Sequence, residues 1–486
     1  DGDGTFAGAP TKLSACQLWD GSTALNTGGN IVNPSATATT SSTDLPHTFT
    51  FDSSLTVSKG TVKTLALKCN LSSSVDTSST FAWGARNGTA ADMVVTGVTS
   101  SKSVPEAVTA SAGQTMTVAA VAVVVSKDSS SPSYAIAAAG TTGVTAGVVK
   151  FRASNEAVTL QRVGLTLTNS ASSSASDLIQ VSLWDGSTKV GTAIFVGSNT
   201  NATSTLSTPV TLPKDTDKSL TVKIDLASIG TSQPGTQGQL IAVDIDTNGT
   251  NTQGVGQESG TTVNASSSTS FDGVRMFKTY PTFAKLSIPS TTLVTSTMDL
   301  YRFSVTANSA GDLGIYKFVV NIATSSTPSG TSSTTVTNLK IIAYTDSGFS
   351  STVSGFTTAG QLNDTITTLI SSGNTNVLMT ASSQSADYLQ IPAGSTYYFK
   401  VVANVALTGG PTGGSITTNL QGDAAFPTGL STNLDTATGV DADANNDFIW
   451  SPNATTTSSL THLDWTNGYF VPGLPSGNMD NQVIVK

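Results

Sequence analysis

The chain has 486 residues, 37% of them hydrophobic and only 11% charged, with a formal net charge of −9. Folded domains ordinarily carry about 25% charged residues, so solubility here must come from Ser, Thr, Asn and Gln. The acidic balance and the lack of any basic run exclude a nucleic-acid surface, which needs clustered Lys and Arg. No apolar run reaches the length of a membrane-spanning helix, and the length suggests roughly three domains.

Taken in chain order, the opening "DGDGTFAGAP" reads as the interior of a longer protein, not as a translation start. "CQLWDGSTAL" (Cys16 to Leu25) is an apolar stretch ending in a turn, and "TLALKCNL" (Thr64 to Leu71) alternates apolar and polar residues with period two. "VAAVAVVVS" (Val118 to Ser126) is too short to span a bilayer and reads as a strand. "VSLWDGSTKV" (Val181 to Val190), "LTVKIDL" (Leu220 to Leu226), "GIYKFVVNI" (Gly314 to Ile322) and "YYFKVVANV" (Tyr397 to Val405) continue the strand pattern. The best helical candidate is "GQLNDTITTLISSG" (Gly360 to Gly373). The expected fold class is all-β, a tandem array of immunoglobulin-like β-sandwich domains.

Duplication supports the array. Leu-Trp-Asp-Gly-Ser-Thr occurs twice, with Trp19 and Trp184 standing 165 positions apart, and Lys68 and Lys223 share a context 155 positions apart. Met116 aligns with Met276, and "DLIQVSLWDG" aligns with "NLKIIAYTDSG", which sets Asp185 against Asp346 and Leu-Trp against Tyr344-Thr345. A period near 160 suits whole domains better than a solenoid. The repeated phrase reads as scaffold, the end of a strand opening into an Asp-Gly type I′ hairpin turn. The expected units are residues 1–120, 121–281 and 282–425, followed by a C-terminal extension, 426–486, that caps the array or docks a partner.

The first unit has far less strand before its Trp-Asp-Gly than the second. It is expected to lack its leading strands, which upstream chain, processing or another subunit would account for; strand donation by a neighbour would make the chain a lattice or fibre component. Cys16 and Cys69 are the only cysteines and fall at inward strand positions of this unit, opposite Val181 and Ile224 of the second. A disulfide between them fits an oxidising, extracellular setting.

Zinc is not expected, with only His47 and His462 and no Cys-x-x-Cys. Calcium is the candidate cofactor: "DADANND" sets Asp441, Asp443, Asn445 and Asp447 at the alternate positions of a cation loop, and Asp244, Asp246 and Asn248 repeat half of the pattern. No nucleophile elbow, zinc-protease or phosphate-loop motif occurs, so no enzyme is expected. Trp450, Trp465 and Tyr469 in the extension are candidates for stacking on a glycan.

"KTYPTFAKLSIPSTTLVTSTMDLYRFSVTANSAGDLGIYKFVV" and "NNDFIWSPNATTTSSLTHLDWTNGYFVPGLP" resemble segments of large, Ser/Thr-rich surface-layer and cell-surface matrix proteins of candidate-phyla-radiation (Patescibacteria-type) bacteria. The resemblance covers the second and third units and the extension. It implies export to the cell surface, tandem immunoglobulin-like domains and self-assembly into a lattice or filament on the cell envelope. The alternative is an adhesin or glycan-binding stalk. No anchoring module is visible in the chain.

Overall fold

Alternating apolar residues become strands, and among the described residues every regular element is a strand or a short 3-10 turn. The structure is a computed structural model that describes residues 10–34, 47–72, 74–85, 93–105, 111–168, 174–326, 333–356, 358–371, 373–380, 388–409, 413–426, 435–436, 439–440, 448–454 and 465–486. The chain is all-β, as its patterning requires, and no helix is long and apolar enough to cross a membrane among the described residues.

The first unit contributes β1 (Leu13–Asp20), β2 (Thr23–Ala24) and β3 (Ala66–Leu71), paired in the order β2-β1-β3. The second contributes β4 (Ala122–Lys127), β5 (Val144–Ser154), β6 (Val158–Leu167), β7 (Leu178–Asp185), β8 (Thr188–Ala193), β9 (Asn201–Leu212), β10 (Asp217–Leu226), β11 (Val243–Asp246), β12 (Gln253–Gly256), β13 (Thr262–Ser266) and β14 (Val274–Phe277). One layer runs β8-β7-β10-β5-β4; the other is built on β6, which pairs with β9, β11 and β12. Val149, Phe151, Leu160, Leu165, Leu183 and Val222 fill the space between the layers, a two-sheet arrangement that leaves alternate residues outside.

The third unit uses β15 (Pro281–Leu286), β16 (Ser296–Ala307), β17 (Leu313–Ser325), β18 (Ser333–Tyr344), β19 (Gly373–Thr380), β20 (Leu389–Ile391), β21 (Thr396–Thr408), β22 (Ser415–Leu420), β23 (Ile449–Ser451) and β24 (Gln482–Val485). Its first layer, β15-β16-β21-β18, repeats the order β4-β5-β10-β7 of the second unit. The second and third units therefore share one sheet order, of which the described first unit keeps the β1–β3 pair. Phe303 and Phe399 stack at 4.9 Å in its core and both meet Phe318 of the opposite layer edge-on.

Two expectations change. The described residues of 360–373 form no helix: Leu362, Ile366 and Ile370 donate backbone bonds to Ile341, Leu339 and Val336, so this segment lies along β18 and covers its edge. The described strands Ile449–Ser451 and Gln482–Val485 of the extension 426–486 are not a separate arm either. Here β23 pairs with β17 and β24 pairs with β22, so they complete the second layer of the third sandwich. The expected boundary at 281–282 falls inside β15, and the join between the sandwiches lies just before it.

Candidate functional site

The repeated phrase builds the same device in each unit. Trp19 pairs with Ala24 and Trp184 with Lys189, while Asp20 pairs with Thr23 and Asp185 with Thr188. The two loop residues are thus Gly-Ser rather than Asp-Gly. Gly21 (φ 61°) and Gly186 (φ 58°) have positive φ but their serines do not, which marks a turn of type II′ with glycine first. Lys68 lies over the Trp19 ring at 4.5 Å and Lys223 over the Trp184 ring at 4.4 Å. Asp20 pairs with Lys63, and Asp185 with Lys218 at 2.7 Å.

In the third unit Lys400 lies over Tyr344 at 5.0 Å. Its backbone register, Ile342 opposite Lys400, copies Ser182 opposite Lys223. Tyr344 therefore stands where Trp184 does, and Asp185 corresponds to Thr345, one residue short of the expected Asp346. Asp346 instead closes its own loop, accepting bonds from the Ser350 and Ser351 backbone N–H groups, and these hold its carboxyl below the usual range. A cation over an aromatic face is worth about 0.5–1 kcal/mol at exposed sites. These residues fasten two neighbouring strands together; they form no pocket.

The first unit departs from its copies at β3. Cys16 and Cys69 are joined by a disulfide, at positions where the second unit sets Val181 against Ile224. Leu220, Val222, Ile224 and Leu226 of β10 are fully buried beneath the opposite layer and are flanked by β5. Their counterparts are Leu65, just before β3, and Leu67 and Cys69 on it, all half-buried, and Leu71, 47% exposed. Among the described residues β3 pairs with β1 alone, so nothing occupies the place β5 takes beside β10. Further along, the first unit again pairs two short strands: Phe81 pairs with Met116 as Gln239 pairs with Met276. Val62 and Val94 of this unit are each 92% exposed.

Asp441, Asp443, Asn445 and Asp447 lie outside the described residues. Asp244 and Asp246 are buried on β11, and their oxygens already have donors. Asp244 accepts from Thr168, Thr269 and the Phe271 backbone; Asp246 accepts from the Asn248 backbone N–H and the Asn251 amide. The carboxylates tie β11 to its loops. No group of three His, Cys, Asp or Glu residues that could hold a metal occurs among the described residues.

Trp450, Trp465 and Tyr469 do not form an exposed platform. Trp450 is fully buried, donates to the Asn467 carbonyl at 2.7 Å and meets Phe277 edge-on at 5.0 Å. Trp465 is also buried, between Tyr316 and Tyr388. Trp450 joins the main core of the third sandwich and Trp465 shares a separate small cluster with Ile449, so β23 is covered on both faces. Tyr469 is half-buried and packs on Tyr134 of the second sandwich at 5.0 Å.

This last contact belongs to a junction that sequence reasoning did not find. On β14, Val274 and Met276 enter the core of the second sandwich, whereas Phe277 enters the core of the third. Arg275, 8% exposed, donates to the Tyr134 hydroxyl at 2.5 Å and to the Gly238 carbonyl at 2.6 Å, with its guanidinium 3.5 Å from the Phe426 ring centre. Burial pushes the Tyr134 phenol up to about 12 against the pull of Arg275. Lys278 donates to the Asn453 carbonyl at 2.8 Å. The participants are scattered from Tyr134 to Phe470, and only "RMFK", two adjacent apolar residues between two basic ones, hints that one strand serves two sides.

No protein-family profile and no curated protein matches the chain. Among solved structures, the C-terminal domain of the antigen I/II polypeptide BspA of Streptococcus agalactiae aligns at 9% identity over 62% of this chain and 95% of that one, with a TM-score of 0.16. The collagen adhesin of S. aureus aligns at 12% identity over 62% and 85%, with a TM-score of 0.14. A structure containing part of the zonadhesin of Komagataella pastoris aligns at 12% identity over 75% and 98%, with a TM-score of 0.15. Superposition at this level carries no argument about function.

Proposed function

We propose that this chain is a structural, non-catalytic protein of the cell surface, a surface-layer or extracellular filament subunit that assembles through its sandwiches. The reading agrees with the resemblance of its second and third units to surface-layer proteins of candidate-phyla-radiation bacteria. The observation that carries it is the side of β3 beside which no described strand lies, where Leu71 is 47% exposed while its counterpart Leu226 is fully buried. An edge strand with unused backbone groups beside apolar side chains is a template for an added strand. The register at β5 and β10, Val144 opposite Ile224 and Val149 opposite Leu220, indicates how such a strand would lie. Low charge density lets neighbouring copies approach without strong repulsion. Calcium held by Asp441, Asp443, Asn445 and Asp447 would bridge copies.

Electron microscopy of the concentrated chain tests this. Ordered sheets or fibres are expected, weakened by a chelator and lost in Leu67→Lys, which puts a charge on the apolar face of β3. A chain that stays monomeric at every concentration, with or without calcium, contradicts the proposal.

A further inference from the structure

The contacts between the second and third sandwiches include two that no strand pairing requires, and both involve backbone in the left-handed region. Asn453, which accepts from Lys278, has φ 47°, and Phe470, which packs on Tyr134, has φ 58°. Asparagine tolerates this conformation; a bulky aromatic residue does not adopt it without compensation. Phe470 is the third residue of the turn Gly468–Val471, closed by the Val471 N–H to the Gly468 carbonyl at 3.1 Å. A third turn position with positive φ is where glycine is ordinarily found. The ring accounts for the exception: it lies 4.8 Å from Tyr134 and 4.7 Å from Tyr469.

From these contacts we infer that Phe426, Asn453, Tyr469 and Phe470 form a latch that closes on Tyr134, Arg275 and Lys278 and makes the second and third sandwiches one stiff body. Sandwiches joined by a short link ordinarily move relative to each other unless their interface is large and apolar. Here the link is only Lys278 to Tyr280, because β14 ends at Phe277 and β15 begins at Pro281. Phe277 already sits in the third core, and Thr279, fully buried, donates to the Asn308 or Gly311 carbonyl. Arg275 adds the cross-tie, its guanidinium held between Tyr134 on one side and Phe426 on the other. The latch faces the join from the third sandwich, and each of its partners belongs to the second or to the link. It requires no assembly of the chain and stands apart from the proposed function.

The test turns on opposite signs. If Phe470 were only a turn residue, Phe470→Gly would relieve the backbone and leave the join unchanged. If its ring is the latch, the same change loosens the join. Spin labels at the exposed hairpin positions Ser187 and Ser347 report the distance between the two sandwiches in the full chain. The wild type is expected to give one narrow distance distribution. Phe470→Gly and, on the opposing surface, Tyr134→Ala are each expected to widen it at least twofold. Near-ultraviolet circular dichroism of the buried Trp450 and Trp465 should keep its wild-type form in both variants, which separates loosening from unfolding. A broad wild-type distribution, or an unchanged width in either folded variant, overturns the inference.

Discussion

The β1–β3 pair and the β7–β10 pair are the same two strands in two settings. Both carry Trp under Lys, Asp against Lys, and a Gly-Ser turn. In the second unit the pair is flanked by β5 and roofed by a second layer, so its inward residues are fully buried. Among the described residues of the first unit no strand flanks β3 on its other side, and a covalent bond stands where the Val181–Ile224 contact would be. The local contacts evidently suffice to define the strand pair; burial of its face depends on what lies beside and above it. The described residues of the first unit hold the pair without that cover and carry the cross-link in addition.

This contrast can be broken from both ends. The largest effect is expected from Cys16→Ser, which opens a bond closing a separation of 53 residues. The chain-entropy account gives about 4 kcal/mol for a loop of this size, read as early hydrogen exchange and melting confined to the first unit. Leu226→Ala in the buried face of β10 should cost about 3 kcal/mol, whereas Leu71→Ala at the equivalent exposed position should change the isolated chain by under about 0.5 kcal/mol. Denaturant melts of the two variants compare them directly. Should Leu71→Ala cost as much as Leu226→Ala, β3 would have to be covered already.

A smaller effect tests the shared fastening. Lys223→Met removes the cation over Trp184 and should cost about 0.5–1 kcal/mol, measurable by thermal denaturation, with Lys68→Met giving the same loss or less in the first unit. The smallest concerns Asp128, beyond β4, which the Ser130 backbone N–H and the Ser219 and Ser130 hydroxyls hold down to about 2. A depressed carboxyl contributes stability that is complete above the unfolded value near 4 and lost as pH falls towards the folded value. The gap in stability between wild type and Asp128→Asn should therefore shrink as pH falls from 5 to 2. A gap independent of pH would remove Asp128 from the account.

Much of the fold was legible because strands of ten or so residues impose period two on the letters, as in "LTVKIDL" and "YYFKVVANV". The correspondence of Lys68 with Lys223 was legible for the same reason. The short strands were not: Ile449–Ser451 and Gln482–Val485 offer three or four letters each, too few to show a period, so the closing strands of the third sandwich looked like an appended arm. Asp346 was set against Asp185 because acidic and glycine letters align well, while the geometry follows the aromatic ring under Lys400. The stretch from Gly360 to Gly373 shows helical spacing, yet Thr and Ile there suit an edge that bonds intermittently to β18. The junction around Arg275 was out of reach because its members meet only after two sandwiches have folded.

Hydrogen exchange at Ala66–Leu71, followed from dilute chain to concentrated chain, tests the open edge most directly. Because β3 pairs on one side only among the described residues, alternate amides should exchange rapidly in dilute solution and become protected as sheets or fibres form. Protection of all these amides at dilution, or assemblies in which the outward amides still exchange rapidly, would contradict the account.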